Sequence, residues 1–154
     1  MFEPSKAVIN GEFLENSNDQ IVSIYSPSFQ YGLNIFEGIR AYENSSLLEP
    51  FLLDKHITRL LRSWKLLGLG VAPSKKTIKE DIYKLLKTSK ANQNLYIKYI
   101  VGYLNEGSWN TFECPDRICF FYPSESIFES DKIRKAKGSI SSIKRISISN
   151  NTIS

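Results

Sequence analysis

A chain of 154 residues, 42% of them hydrophobic, carries enough apolar material for one packed domain, or for one domain and the start of another. Its formal charge of +4 comes from 20 basic residues scattered among 16 acidic ones, so no basic track points to nucleic acid, and no apolar run approaches the roughly 20 residues of a membrane span. The lone His56 and the widely spaced Cys114 and Cys119 make no metal-ligand set, and acidic Glu3 stands where a secretory signal would be basic; the expectation is a cytoplasmic protein with free thiols and no metal, nucleic-acid or membrane partner.

Ala7 to Leu14 reads as a hairpin about Asn10-Gly11, because that dipeptide tolerates the positive φ angles of a tight type I′ turn. Ile21 to Tyr25 alternates like a further strand, broken by Ser26-Pro27-Ser28. Phe29 to Phe36 has no clean period and reads as a short helix or an irregular turn. Glu37 to Glu43 is strand-like, with Gly38, Arg40 and Tyr42 on one side and Ile39 and Ala41 on the other.

Leu47 to Leu53 reads as another strand, after which Asp54 can cap a helix whose Ile57, Leu60, Leu61, Trp64 and Leu67 follow the 3.6-residue period and which Gly68 ends. His56 and Arg59 fall on the flank of that apolar stripe. Thr77 with Glu80 three residues later resembles a capping box for a second helix, with Ile78, Ile82, Leu85 and Leu86 on one face, Lys75, Lys76, Lys79, Lys84 and Lys87 on a solvated one, and an end near Lys90. Leu95 to Tyr103 alternates, setting Tyr96, Lys98 and Ile100 against Leu95, Ile97, Tyr99 and Val101. Ile118 to Tyr122 is a shorter strand. Residues 124–137 suit a connection, and serine alternates with isoleucine from Gly138 onward as in a new strand. The pattern predicts an α+β fold: a mixed or antiparallel sheet carrying two main helices over residues 1–123, then the first strand of an incomplete larger domain over 138–154.

Two segments can carry chemistry. Tyr31-Gly32 and Phe36-Glu37-Gly38-Ile39-Arg40-Ala41-Tyr42 place a phenol, a bulky aromatic, a glycine and an arginine within twelve positions. A strand glycine lets a ligand approach the backbone, and an arginine can hold a carboxylate. Spacing alone also allows core aromatics and an edge-strand charge. In Asp54-Lys55-His56-Ile57-Thr58-Arg59-Leu60, an arginine at an early helical turn can grip a phosphate with two parallel N–H bonds, or be an ordinary exposed helix arginine.

In combination the order YGxxxFEGIRAY, a short strand, then HxxRL and the remainder of a helix resembles the class IV pyridoxal-phosphate-dependent aminotransferases. The likeness is nearest to the branched-chain type, since D-amino acid aminotransferases and aminodeoxychorismate lyases usually read differently across FEGIRAY. It extends through LYIKYIVGY to ISSIKRISISNNTIS. The resemblance implies that Arg59 binds the phosphate of pyridoxal 5′-phosphate, that Tyr31, Phe36, Gly38 and Arg40 shape a substrate pocket suited to valine, leucine and isoleucine, and that Tyr96 helps to bind substrate. Lys98 stands where the family often has an arginine facing the second carboxylate of glutamate; lysine keeps the charge and loses the planar fork. Gly102 to Cys114 also departs from the family's usual loop.

The resemblance further implies amino-group transfer between a branched-chain amino acid and 2-oxoglutarate, with a homodimer as the full-length form. The lysine that carries the cofactor as a Schiff base is expected a few residues beyond Ser154, so this chain holds no catalytic residue of its own and by itself is expected not to transaminate. A different expectation from the same features is a non-catalytic interaction module that pairs with a full-length homologue.

Overall fold

The structure is a computed structural model that describes residues 6–18, 20–44, 47–68, 70–89, 93–108 and 114–124. Strands β1 (Ala7–Ile9) and β2 (Glu12–Leu14) form the expected hairpin, with φ of 51° at Asn10 and 89° at Gly11. Ile21 to Tyr25, predicted as a strand, joins no ladder, and Ile21 is 92% exposed. The serines there satisfy the backbone locally: the Tyr25 amide donates to Ser23 Oγ and the Ser26 amide to the Ser23 carbonyl, which replaces strand pairing.

Helix α1 (Pro27–Tyr31) starts at Ser26, whose hydroxyl accepts from the Phe29 amide, and ends at Gly32 in the left-handed region. It leads into the long β3 (Asn34–Asn44) and then β4 (Leu47–Pro50). The strand predicted to run to Leu53 stops at Pro50, and Leu52, at φ 50°, turns the chain into α2 (Leu53–Leu67). Asp54 therefore lies within the first helical turn and not at the cap, where its carboxylate suits the helix dipole and pairs with Lys79 at 2.7 Å. Gly68 ends α2 as expected. In α3 (Lys75–Leu86) the cap is Ser74, which accepts from the Thr77 amide, so the helix starts and stops earlier than the Thr77–Lys90 reading. Strands β5 (Leu95–Gly102) and β6 (Asp116–Pro123) follow, the latter longer than predicted.

The six strands of the described residues lie in one antiparallel sheet of order β2-β1-β6-β5-β3-β4. Period-two alternation sends Val8, Ile39, Ala41, Leu95, Ile97, Tyr99, Val101 and Cys119 to one face, where Ile57, Leu60 and Trp64 of α2 and Ile78, Ile82 and Leu85 of α3 cover them. Burial there pushes the Cys119 thiol pKa well above its ordinary value. The architecture is the predicted α+β arrangement, with the antiparallel alternative realised. No helix among the described residues is long and apolar enough to cross a membrane. Of the connection expected over 124–137 and the new strand over 138–154, everything from residue 125 onward lies outside the described residues.

Candidate functional site

The opposite face of the sheet collects most of the predicted wall. Antiparallel register sets Phe36 against Ile100, Gly38 against Lys98, and Arg40 against Tyr96. Residues directly opposite share a face, so Phe36, Gly38, Arg40, Tyr96 and Lys98 form one surface away from the helices. The Lys98 ammonium lies 4.7 Å from the centre of the Phe36 ring, a cation–π distance. Next along the sheet, Lys98 pairs with Phe120 and Tyr96 with Tyr122, and those two rings meet edge-on at 5.3 Å. Sequence reading missed them as site residues, although the alternation of β6 could have placed them on this face. Tyr31 sits at the end of α1, half exposed, and among the described residues no hydrogen bond or ring contact ties it to the wall.

At Gly38 the space left by the missing side chain is occupied. A Cβ at this position would lie 1.8 Å from the Tyr96 phenolic oxygen and 2.5 Å from the ring carbon bearing it. The space the glycine opens is filled by Tyr96, which lies across the β3 backbone. Gly38→Ala is therefore expected to expel the Tyr96 ring from this position. Because the phenol is the mobile end of a side chain, stability should fall by only about 1–2 kcal/mol. Quenching and NMR signals of Tyr96 should change fully; an unshifted Tyr96 resonance in the variant would contradict the packing described.

Arg59 lies on the helix-covered side, so the structure does not bring it into the wall. Its guanidinium grips Glu37, the residue between Phe36 and Gly38, through Nε to Oε1 at 2.6 Å and Nη2 to Oε2 at 2.5 Å. His56 Nδ1 lies 2.9 Å from the same Oε2. An ionised carboxylate only accepts, so Nδ1 carries the proton in this contact. Glu37 is 4% exposed, whereas the Arg59 side chain is 67% exposed. This cluster was not foreseen, and the available signal was an acidic residue in phase with Ile39 and Ala41 on the core-facing side of β3. Beyond β3, pairing with β4 begins only at Ala41 among the described residues, so the stretch carrying Phe36, Glu37 and Gly38 has an open edge with the wall on one face and Arg59 on the other.

Burial pushes the Glu37 carboxyl pKa up, but the hydrogen bonds from Arg59 and His56 and the charges behind them outweigh it and leave the pKa below the ordinary 4.5. A folded-state pKa below the unfolded one gives stability that is complete above the unfolded value and lost as pH falls through the folded value. Glu37→Gln should therefore flatten the acid limb of the stability curve below about pH 4.5 relative to the parent chain. Parallel urea titrations across that range test this, and identical acid limbs would exclude it.

The profile of the family described as Amino-transferase class IV matches residues 34–149. An aminodeoxychorismate lyase of Bacillus subtilis is 34% identical over 116 residues, covering 73% of this chain and 38% of that protein. A D-alanine aminotransferase of Staphylococcus epidermidis is 34% identical over 99 residues, covering 64% and 33%. The crystal structure of a branched-chain aminotransferase from Thermoproteus uzoniensis with norvaline superposes with a TM-score of 0.70 at 28% identity, over 79% of this chain and 41% of that one. The chain thus spans well under half the length of these relatives. The matched profile starts at the first residue of β3 and takes in the wall, Glu37 and Arg59 together, and on that ground the chain belongs to the class IV aminotransferases.

Proposed function

We propose that this chain supplies the small-domain half of a branched-chain amino acid transaminase site, with residues 1–123 as that domain. The observation that carries the reading is the in-register grouping of Phe36, Gly38 and Arg40 on β3 with Tyr96 and Lys98 on β5. Aromatic and aliphatic groups offer a surface for a branched side chain, while Arg40 and Lys98 offer cations for carboxylates. Tyr31 is assigned to the same pocket from the other end of the β3 entry, on resemblance alone.

The cofactor implied is pyridoxal 5′-phosphate, and the residues present fit its phosphate. Of the five N–H donors of Arg59, two are used by Glu37, and the rest of an exposed guanidinium faces outward. When bound, the cofactor supplies the electron sink that lets an amino group pass between an amino acid and an oxo acid. Arg59 holds the phosphate, Lys98 and Arg40 orient carboxylates, and the Phe36 and Tyr96 rings keep water from the side-chain pocket. Lys98, a point charge without the arginine fork, bears on the choice of 2-oxoglutarate as acceptor. A homodimer and a cytoplasmic location complete the proposal.

The test is isotope transfer by the protein that carries this chain. Supplied with pyridoxal phosphate and 2-oxoglutarate, it should move label from ¹⁵N-leucine, ¹⁵N-isoleucine or ¹⁵N-valine into glutamate faster than from ¹⁵N-D-alanine. Faster transfer from D-alanine, or release of pyruvate from aminodeoxychorismate, would replace the branched-chain reading with one of the activities named for the two relatives above.

A further inference from the structure

The Glu37 cluster poses a question that the phosphate role of Arg59 leaves open. A carboxylate beside an anion-binding arginine adds a like charge next to the anion, and by charge alone it should weaken binding. Yet Glu37 is almost wholly buried and takes the Nε and Nη2 edge of Arg59 with both oxygens, while a third contact from His56 fixes Oε2. Glu37 is in turn fixed by the backbone of β3, which pairs with β5 from Asn34 to Ala41. Three otherwise mobile features of Arg59 are thereby set: the reach of its stem, the plane of the guanidinium and the edge left facing out. Among the described residues Nη1 has no partner, so the outward edge keeps donors that a phosphate can take in parallel.

We propose that Glu37, braced by His56, is the positioning residue that aims the free edge of Arg59 at the cofactor phosphate. The inference rests on the reading of Arg59 as the phosphate anchor. It departs from a merely structural ion pair stitching α2 to β3, because an ion pair of that kind would act on stability and leave phosphate affinity to the balance of charge. The two accounts differ in sign. If Glu37 acts only as a charge, Glu37→Asp leaves phosphate affinity unchanged and Glu37→Gln raises it. If Glu37 positions Arg59, both weaken binding: aspartate keeps the charge but falls short by one methylene, and glutamine keeps the length but can accept on only one atom.

The experiment measures the phosphate preference of the 154-residue chain, the ratio of its affinities for pyridoxamine 5′-phosphate and pyridoxamine, by NMR titration. These amines cannot form Schiff bases with the surface lysines. The parent chain should prefer the phosphorylated form, and Arg59→Ala should abolish that preference. Glu37→Asp and Glu37→Gln should each reduce it about fivefold or more, the effect of losing one charge-assisted hydrogen bond. If one of these variants does not fold, the other decides alone. A parent chain with no phosphate preference, or one that survives Arg59→Ala, overturns the anchor reading and this inference with it. A preference that requires Arg59 but is unchanged or raised in the Glu37 variants overturns the positioning role alone.

Discussion

Replacing Asp81 by alanine is expected to destabilise the protein by about 3 kcal/mol, toward the lower end for a broken buried ion pair because Arg117 keeps part of its side chain in water. Asp81 is a buried carboxylate on α3 that accepts from the Tyr99 hydroxyl at 2.6 Å and from Arg117 Nε at 2.9 Å, both on Oδ2. Burial, followed by the bond to Asp81, pushes the Tyr99 phenol pKa up, and the pairing more than offsets burial at Arg117, whose pKa also rises. Alanine leaves a guanidinium and a buried phenol facing a void. Asp81→Asn should cost less, since an amide oxygen still accepts from Tyr99. The triple change Asp81→Leu, Arg117→Met, Tyr99→Phe should recover most of the loss, because apolar groups of similar volume avoid the desolvation penalty. Urea unfolding of the variants measures this. An Asp81→Ala chain within 1 kcal/mol of the parent, by the usual scatter of surface substitutions of about 0.5 kcal/mol, would mean that the network contributes little.

Trp64→Ala is expected to cost about 3–5 kcal/mol, a large share of the roughly 5–15 kcal/mol that holds a domain together. Trp64 is 1% exposed on the core-facing side of α2 and packs on Tyr103 with ring centres 5.8 Å apart. Its indole Nε1 is buried without a protein partner among the described residues. Trp64→Phe removes that unmet donor while keeping most of the aromatic volume, so the two effects oppose and the net loss should be about 1 kcal/mol or less. The comparison is internal: if phenylalanine costs as much as alanine, the stabilisation comes from the far ring of the indole and the unmet N–H is immaterial. Guanidinium titrations of both variants, with the slope checked for a common denatured state, decide between these outcomes.

Local chemistry was legible wherever neighbours in sequence are neighbours in space. Asn10-Gly11 specified its turn without help, and alternation along Glu37–Glu43 and Leu95–Tyr103 assigned each side chain to its face. Ile21–Tyr25 misled because alternation states only that a segment could be a strand. Whether it becomes one depends on an available edge, and here the serine hydroxyls met the backbone first. Boundaries failed for a related reason: Leu52 in a left-handed conformation and Ser74 as a cap are choices among several adjacent candidates. The partners of the two buried acids were out of reach. Glu37 and Asp81 look like surface residues until Arg59 and Arg117 arrive from 22 and 36 positions away. The wall residues needed only register; the pairing of Glu37 with Arg59 needed tertiary structure.

The sheet order also sets the sequence of events as the chain is made. The hairpin of β1 and β2 is complete by residue 14, yet among the described residues it adjoins the rest of the sheet through β6, which begins at residue 116. Asn10 bonds to Arg117 and Asp116 across more than 100 intervening positions. At about 5–20 residues per second, ribosomal synthesis leaves that hairpin waiting about 5–20 s for its partner. Meanwhile β3 and β4, close in sequence, can pair as soon as they emerge. The hairpin, made long before β6, is thus among the last elements to dock, and the open side of β1 is a liability for a nascent chain long before the finished sheet conceals it.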